Sequence, residues 1–176
     1  VPTPSPATSF SVQRGALSIF VGAKPVLTYH MEEVMPPTGE PDYYKRSGFI
    51  HPIFSPTGQI LTEGFPEGHV HQHGMFFAWV KTLFQGRHPD FWNQHNQSGR
   101  VAHETLRDTV SGPVFAFFSA ELIHTDISAP DGPVDVLNEI WMVQIYALEE
   151  AFLFDLTSVH HSLTDSPLVM PEYRYG

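Results

Sequence analysis

The chain contains no cysteine, and that absence removes disulfides, thiolate metal sites and cysteine nucleophiles from consideration. Charge is scarce too: Asp, Glu, Lys and Arg make up 16% of the 176 residues, where about a quarter is usual. Basic residues are the scarcer kind, 9 Lys and Arg against 19 Asp and Glu, for a formal net charge of −10 with His neutral. A duplex phosphate backbone or an anionic membrane surface repels such a chain, so nucleic acid is not an expected partner. No apolar run approaches the ~20 residues that span a bilayer as a helix, and membrane insertion is not expected. The sequence also lacks a phosphate loop, a dinucleotide fingerprint, a Gly-x-Ser-x-Gly elbow and a zincin helix.

Aromatic residues are abundant instead. They form 13% of the chain, with 14 Phe, which suits one packed domain. Residues 1–9, with the Pro/Ser/Thr-rich start Val1 to Thr8, read as a flexible linker or a processed N-terminus, and 10–176 as the folded domain. From Phe10 onward, short runs rich in Val, Ile, Phe, Tyr and Thr are punctuated by Gly, Pro, Asn and Asp, the pattern of an all-β protein. Strands are expected at Leu17 to Val21, Pro25 to Tyr29, Gly48 to Phe54, Gln59 to Glu63, His71 to Thr82, Arg100 to Leu106, Val114 to His124, Val134 to Ala147 and Ala151 to His160. Ser98 to Thr109 has room for a helical turn. In Val136 to Ala147, one face carries Leu137, Glu139, Trp141, Val143 and Ile145, and the other Val136, Asn138, Ile140, Met142 and Gln144. Apolar residues on both faces favour a broad antiparallel β-sandwich over a small open barrel.

Three segments concentrate chemistry. In Gly68-His69-Val70-His71-Gln72-His73-Gly74, an extended backbone sets His69, His71 and His73 on one face. Such a row suits proton transfer near neutral pH, or a divalent metal completed by His51, His103, Glu63 or Glu139, or hydrogen bonds to loop backbone. Tyr43-Tyr44-Lys45-Arg46 pairs two aromatics with two cations, fit either for holding a hydroxyl-rich or anionic ligand or for covering a strand entrance. Asp90-Phe91-Trp92-Asn93-Gln94-His95-Asn96-Gln97 mixes an aromatic platform with amides, which suits neutral polyols and also ordinary Asx-turns. His160-His161 reads as a surface pair, and Glu139 and Asp155 as candidate buried carboxylates.

Tyr43 to Pro52, Ser55-Pro56-Thr57-Gly58-Gln59, the His-rich turn with Phe76-Phe77-Ala78-Trp79, Asp90-Phe91-Trp92-Asn93, Gly99-Arg100-Val101 and Pro171 to Gly176 occur in an order that resembles the bacterial PmoA-like family. The family's label points to a methane oxygenase, but that enzyme's membrane subunit requires several transmembrane helices. The resemblance implies instead a galactose-mutarotase-like supersandwich and a carbohydrate role. The family carries Asp and His where this chain has Gly68 and Gln72, and its members run beyond Gly176, which implies that 1–176 is an N-terminal portion. Together these readings predict a β-supersandwich that binds a sugar or sugar acid. His69, His71 and His73 are the expected acid/base centre, and Lys45, Arg46, His51, Tyr44, Trp92 and Asn93 the expected contacts. Epimerase or lyase chemistry asks least of these groups. A non-catalytic carbohydrate- or partner-binding module and a His-metal oxidoreductase are the alternatives, a divalent ion being the one cofactor suggested. An extracytoplasmic location, periplasmic or secreted, agrees with the start of the chain.

Overall fold

A computed structural model describes residues 7–148 and 150–174. It contains eight strands in two antiparallel meanders: β1 (Thr8–Gln13), β2 (Ala16–Val21), β3 (Lys24–His30) and β4 (Phe49–Ile53), then β5 (Gly99–Ser111), β6 (Phe115–Asp126), β7 (Val134–Tyr146) and β8 (Leu153–Ser162). Strand order follows chain order in both sheets. The expected all-β antiparallel sandwich is the fold of the chain.

Local sequence explains each hairpin. Arg14 and Gly15 both adopt positive φ, 49° and 68°, the backbone of a two-residue turn whose twist matches the flanking strands. It pairs β1 with β2 from Thr8↔Val21 to Gln13↔Ala16. Because Thr8 and Ser9 are strand residues, the expected linker ends sooner than residue 9; its residues 1–6 lie outside the described residues. Strand periodicity then buries one row per strand. Leu17, Ile19 and Val21 face inward from β2, and Ala116, Phe118, Ala120 and Leu122 from β6. In β7 the buried row is Glu139, Trp141, Val143 and Ile145, as the alternation predicts. The two sheets meet across Tyr29, whose ring centroid is 5.2 Å from Phe118 and 6.1 Å from Trp141. Fully burying each such side chain contributes roughly 1.5–3 kcal/mol.

Three expectations are corrected. Gln59 to Glu63 and His71 to Thr82 are not strands. Their only ladder contacts among the described residues are single bridges, Phe54↔Ile60, Gly64↔His73 and Ile50↔Met75. The aromatic side chains of residues 75–79 pack on the core from the side rather than joining a sheet. Ser98 to Thr109 holds no helical turn: it belongs almost wholly to β5, whose register shifts at His103/Thr105 and Leu106/Asp108 mark bulges. The connection 54–98 between the sheets thus carries most of the chemistry-bearing residues on irregular backbone.

Candidate functional site

The His-rich run is a pair of tight turns, closed by His69 N donating to Pro66 O and Gln72 N to His69 O, at 2.9 and 2.8 Å. This breaks the expected one-face row. His69 and His71 stay outside, ring centroids 5.9 Å apart, and His95 joins them 6.4 Å from His71. His73 turns inward and is fully buried between Phe49, Phe65 and Phe76. Gly74 makes that turn possible. It has φ +66, and a Cβ there would lie 2.5 Å from the Ile50 carbonyl oxygen.

His73 Nε2 lies 2.7 Å from Gln94 Oε1, and since an amide oxygen only accepts, Nε2 carries the proton. Nδ1 has no partner. Burial, reinforced by the nearby Arg46 cation, pushes this imidazole down to about 3, so it is neutral and acts as a structural hydrogen-bond donor. Gln94 also donates to Lys45 O at 2.8 Å, tying the 90s loop to the residue-45 segment.

Asp90 builds the remaining platform. Its Oδ1 accepts from the Trp92 and Asn93 backbone N–H groups at 3.0 and 2.8 Å, and its Oδ2 from the Asn93 and Asn96 side-chain amides at 2.9 and 2.8 Å. The expected Asx-turn therefore exists, and it positions Trp92 and Asn93 at a cleft of about 730 Å³. Phe77, Trp79, Trp92 and Tyr173 give this cleft aromatic walls; His71, Lys81 and Asn93 add polar groups. Burial, then the neighbouring His69 and His95, lower the His71 pKa, leaving it a neutral imidazole at pH 7.

Of the residues expected at one site, His71, Trp92 and Asn93 meet at the cleft, while Lys45, Tyr44, His51 and Arg46 do not line it. Lys45 pairs with Glu33 at 2.8 Å on the surface. Tyr44 packs against Tyr43 in a single 3-10 turn. His51 Nδ1 is 3.0 Å from Thr62 Oγ1, with its pKa lowered by burial. Arg46 is buried, stacked over the Phe76 ring at 4.7 Å and donating to Phe77 O at 3.2 Å. Burial pushes its guanidinium down to about 10, against the opposing pull of Glu139, so it remains charged.

A second cluster lies behind the cleft wall. His124 of β6, Glu139 of β7 and His160 of β8 each continue an inward row, and the antiparallel register sets His160 directly opposite Glu139 and His124 diagonal to it. His124 Nε2 is 2.8 Å from Glu139 Oε2 and His160 Nε2 is 3.4 Å from Oε1. Trp141 Nε1 and Ser158 Oγ also donate to Oε1. Burial alone would raise the Glu139 pKa, but the hydrogen bonds from His124, His160 and Ser158 hold it well below the carboxylate range. His124 is lowered by its own burial, so it serves as a neutral donor to an ionised carboxylate. His160 is not the surface residue the sequence suggested: Phe77 stacks on it at 5.4 Å and Trp79 lies 5.9 Å away, both walls of the cleft. Asp155 is exposed and accepts from Tyr146. The sequence signal for this cluster is an ionisable residue in the inward row of each of three strands; only the strand pairing brings the three together.

A family model covering residues 16–176 matches the chain; its description is a family of unknown function, DUF6807. The chain belongs to DUF6807. No curated protein and no solved structure matches it. As a DUF6807 member it joins two four-stranded antiparallel sheets and, among the described residues, has no helix long and apolar enough to cross a membrane.

Proposed function

We propose that this DUF6807 protein binds a sugar or sugar acid in the aromatic cleft. The observation that carries the reading is the lining: two indoles and two further rings around about 730 Å³, with His71, Lys81, Asn93 and Glu172 among the polar residues. Sugars present flat patches of C–H bonds that pack on aromatic faces and a rim of hydroxyls that need polar partners. A concave site with large rings and a few convergent polar groups meets both needs. Lys81, a point charge at the rim, suits a carboxylate or a hydroxyl. The sequence likeness to the PmoA-like family, with its mutarotase-like fold and carbohydrate role, supports the same ligand class.

Among the described residues that line the cleft His71 is the imidazole, and its neutral state favours a second step, proton abstraction from a sugar carbon next to a carbonyl or carboxylate, followed by return of a proton to that carbon in an epimerase or by departure of the β-oxygen substituent in a lyase. His73, fixed to Gln94 and buried, is assigned to structure rather than chemistry.

Titration calorimetry against a panel of monosaccharides and uronic acids tests binding. Trp92→Ala is expected to weaken any sugar that binds by roughly 10-fold or more, the loss of one aromatic contact of about 1.5 kcal/mol. Absence of binding across neutral and acidic sugars sinks the reading. Incubation of a bound sugar in D₂O tests chemistry: deuterium entering a carbon position in the wild type and not in His71→Gln supports acid/base action, and no exchange reduces the protein to a binding module.

A further inference from the structure

The molecule offers three further candidates: the turn imidazoles His69, His71 and His95, of which His71 also lines the cleft, the buried Arg46, and the His124, Glu139 and His160 cluster. The imidazole group stands on turns and its outer members are solvent-exposed. Arg46 is enclosed by Phe76 and the Phe77 carbonyl, with no route to a ligand. The third stands on three adjacent strands, and its observations go furthest.

We propose that His124, Glu139 and His160 form a binding site for one divalent first-row transition ion. One ligand atom from each residue lies within 4.8 Å of the others, so small side-chain rotations bring all three to a single ion at the ~2.0–2.2 Å bond lengths of His nitrogen and carboxylate oxygen. Two imidazoles and one carboxylate on one face leave other positions open, a donor set that suits zinc, manganese or iron(II). The backbone holds that set rigidly. Glu139 pairs across β7 and β8 with His160, and His124 sits two residues along β6 from Leu122, the partner of Glu139.

His124 Nδ1 is buried without a hydrogen-bond partner, so a change of tautomer at this ring breaks no other contact. Trp79, which packs on His160, keeps its Nε1 buried and unpartnered as well. Binding replaces the His124 Nε2 to Glu139 Oε2 hydrogen bond by two bonds to the ion, and the ring stays neutral by taking its other tautomer, with the proton on Nδ1. Arg46 acts electrostatically on the same interior. Its charge opposes a bare dication, so the ion's open positions take hydroxide or an oxygen anion. The site does not depend on sugar binding in the cleft.

Chelator-stripped protein is titrated with Zn²⁺ and separately with Mn²⁺, following heat of binding, bound metal by elemental analysis and thermal midpoint. The expected result is about one ion per chain and a raised midpoint, since an ion bound to the folded state alone stabilises it. His160→Gln, at the partly exposed member, is expected to weaken binding by about 100-fold or more, beyond the loss usual for an outer-shell partner. Glu139→Gln is expected to do the same wherever it folds. His69→Ala/His95→Ala dismantles the surface imidazole group and is expected to leave stoichiometry and affinity unchanged. No binding of either ion at millimolar concentration overturns the proposal, as does binding that survives His160→Gln and disappears in the surface variant.

Discussion

Two groups of histidines occupy this molecule under opposite regimes. His69, His71 and His95 stand on turns of the 54–98 connection, His69 and His95 exposed and His71 half-buried, with their spacing set by loop backbone. His124 and His160 stand on neighbours of one strand, with a buried carboxylate between them and ladder pairing that sets each position. The first group is conspicuous in sequence and loosely held; the second is dispersed over the chain and tightly held. Density of ionisable residues along a sequence therefore says little about where a fold concentrates them in space.

Substitution tests the contrast most severely at Glu139. Glu139→Ala leaves His124, Trp141 and Ser158 without their shared acceptor in the interior, and is expected to cost about 3–5 kcal/mol in urea unfolding. His69→Ala, at an exposed turn, is expected within about 0.5 kcal/mol of wild type. Equal effects at the two positions would erase the distinction.

Acid sharpens the same contrast. His73 is held neutral when folded, its pKa down to about 3 by burial and Arg46, against about 6.5 unfolded. Between those values the unfolded chain binds more protons, so stability falls as pH drops from 6.5 toward 3, by an amount on the order of a few kcal/mol. The depressed Glu139 works in the same direction, its contribution present above the ordinary carboxylate range and lost as pH falls below it. His73→Gln is expected to flatten the pH 6.5 to 3 limb of a stability profile. A slope unchanged by that variant would mean that other groups cause it.

Two glycines in the His-rich run separate backbone strain from crowding. Gly68 and Gly74 both have positive φ, but a Cβ at Gly68 meets nothing within 4 Å. Gly68→Ala is expected to cost roughly 1–2 kcal/mol from backbone conformation alone. Gly74→Ala adds the collision with the Ile50 carbonyl and is expected to cost more and to expose His73. A proton-resolved NMR titration of His73 in both variants checks this, with a rise toward 6.5 expected only for Gly74→Ala. A similarly small effect belongs to Lys45, whose pair with Glu33 is about 40% exposed on both sides. Lys45→Ala is expected to change stability by under about 1 kcal/mol, with salt reducing even that.

Alternation and turn residues made most of the two sheets legible in the sequence. Seven strands, β2 to β8, lie on expected strand runs, and the β7 faces follow the predicted parity. The Pro-rich start concealed β1, whose hairpin depends on two residues at positive φ rather than on a strong apolar run. His71 to Thr82 has strand-like composition but no ladder of its own, because its rings are used against the core and the cleft. Of the candidate site residues, Trp92, Asn93 and His71 line the cleft, although the same-face spacing that singled out His71 is broken by the turns. His124 and His160 were not legible as a pair, since only antiparallel pairing brings the ends of three separate apolar rows to one end of a sheet.

Both sheets pair strands adjacent in sequence, and the cleft is lined by the connection between them together with residues 170–173 after β8. Such an arrangement is modular. Ladders built from local pairings keep their own hydrogen bonds when the intervening connection loosens, so amides of 54–98 should exchange through local openings long before those of β6 and β7. Specificity is thereby separable from architecture. A different connection, provided that it retains the Ile50 to Met75 bridge and the aromatic cover over His160, would give the same sandwich a different appetite.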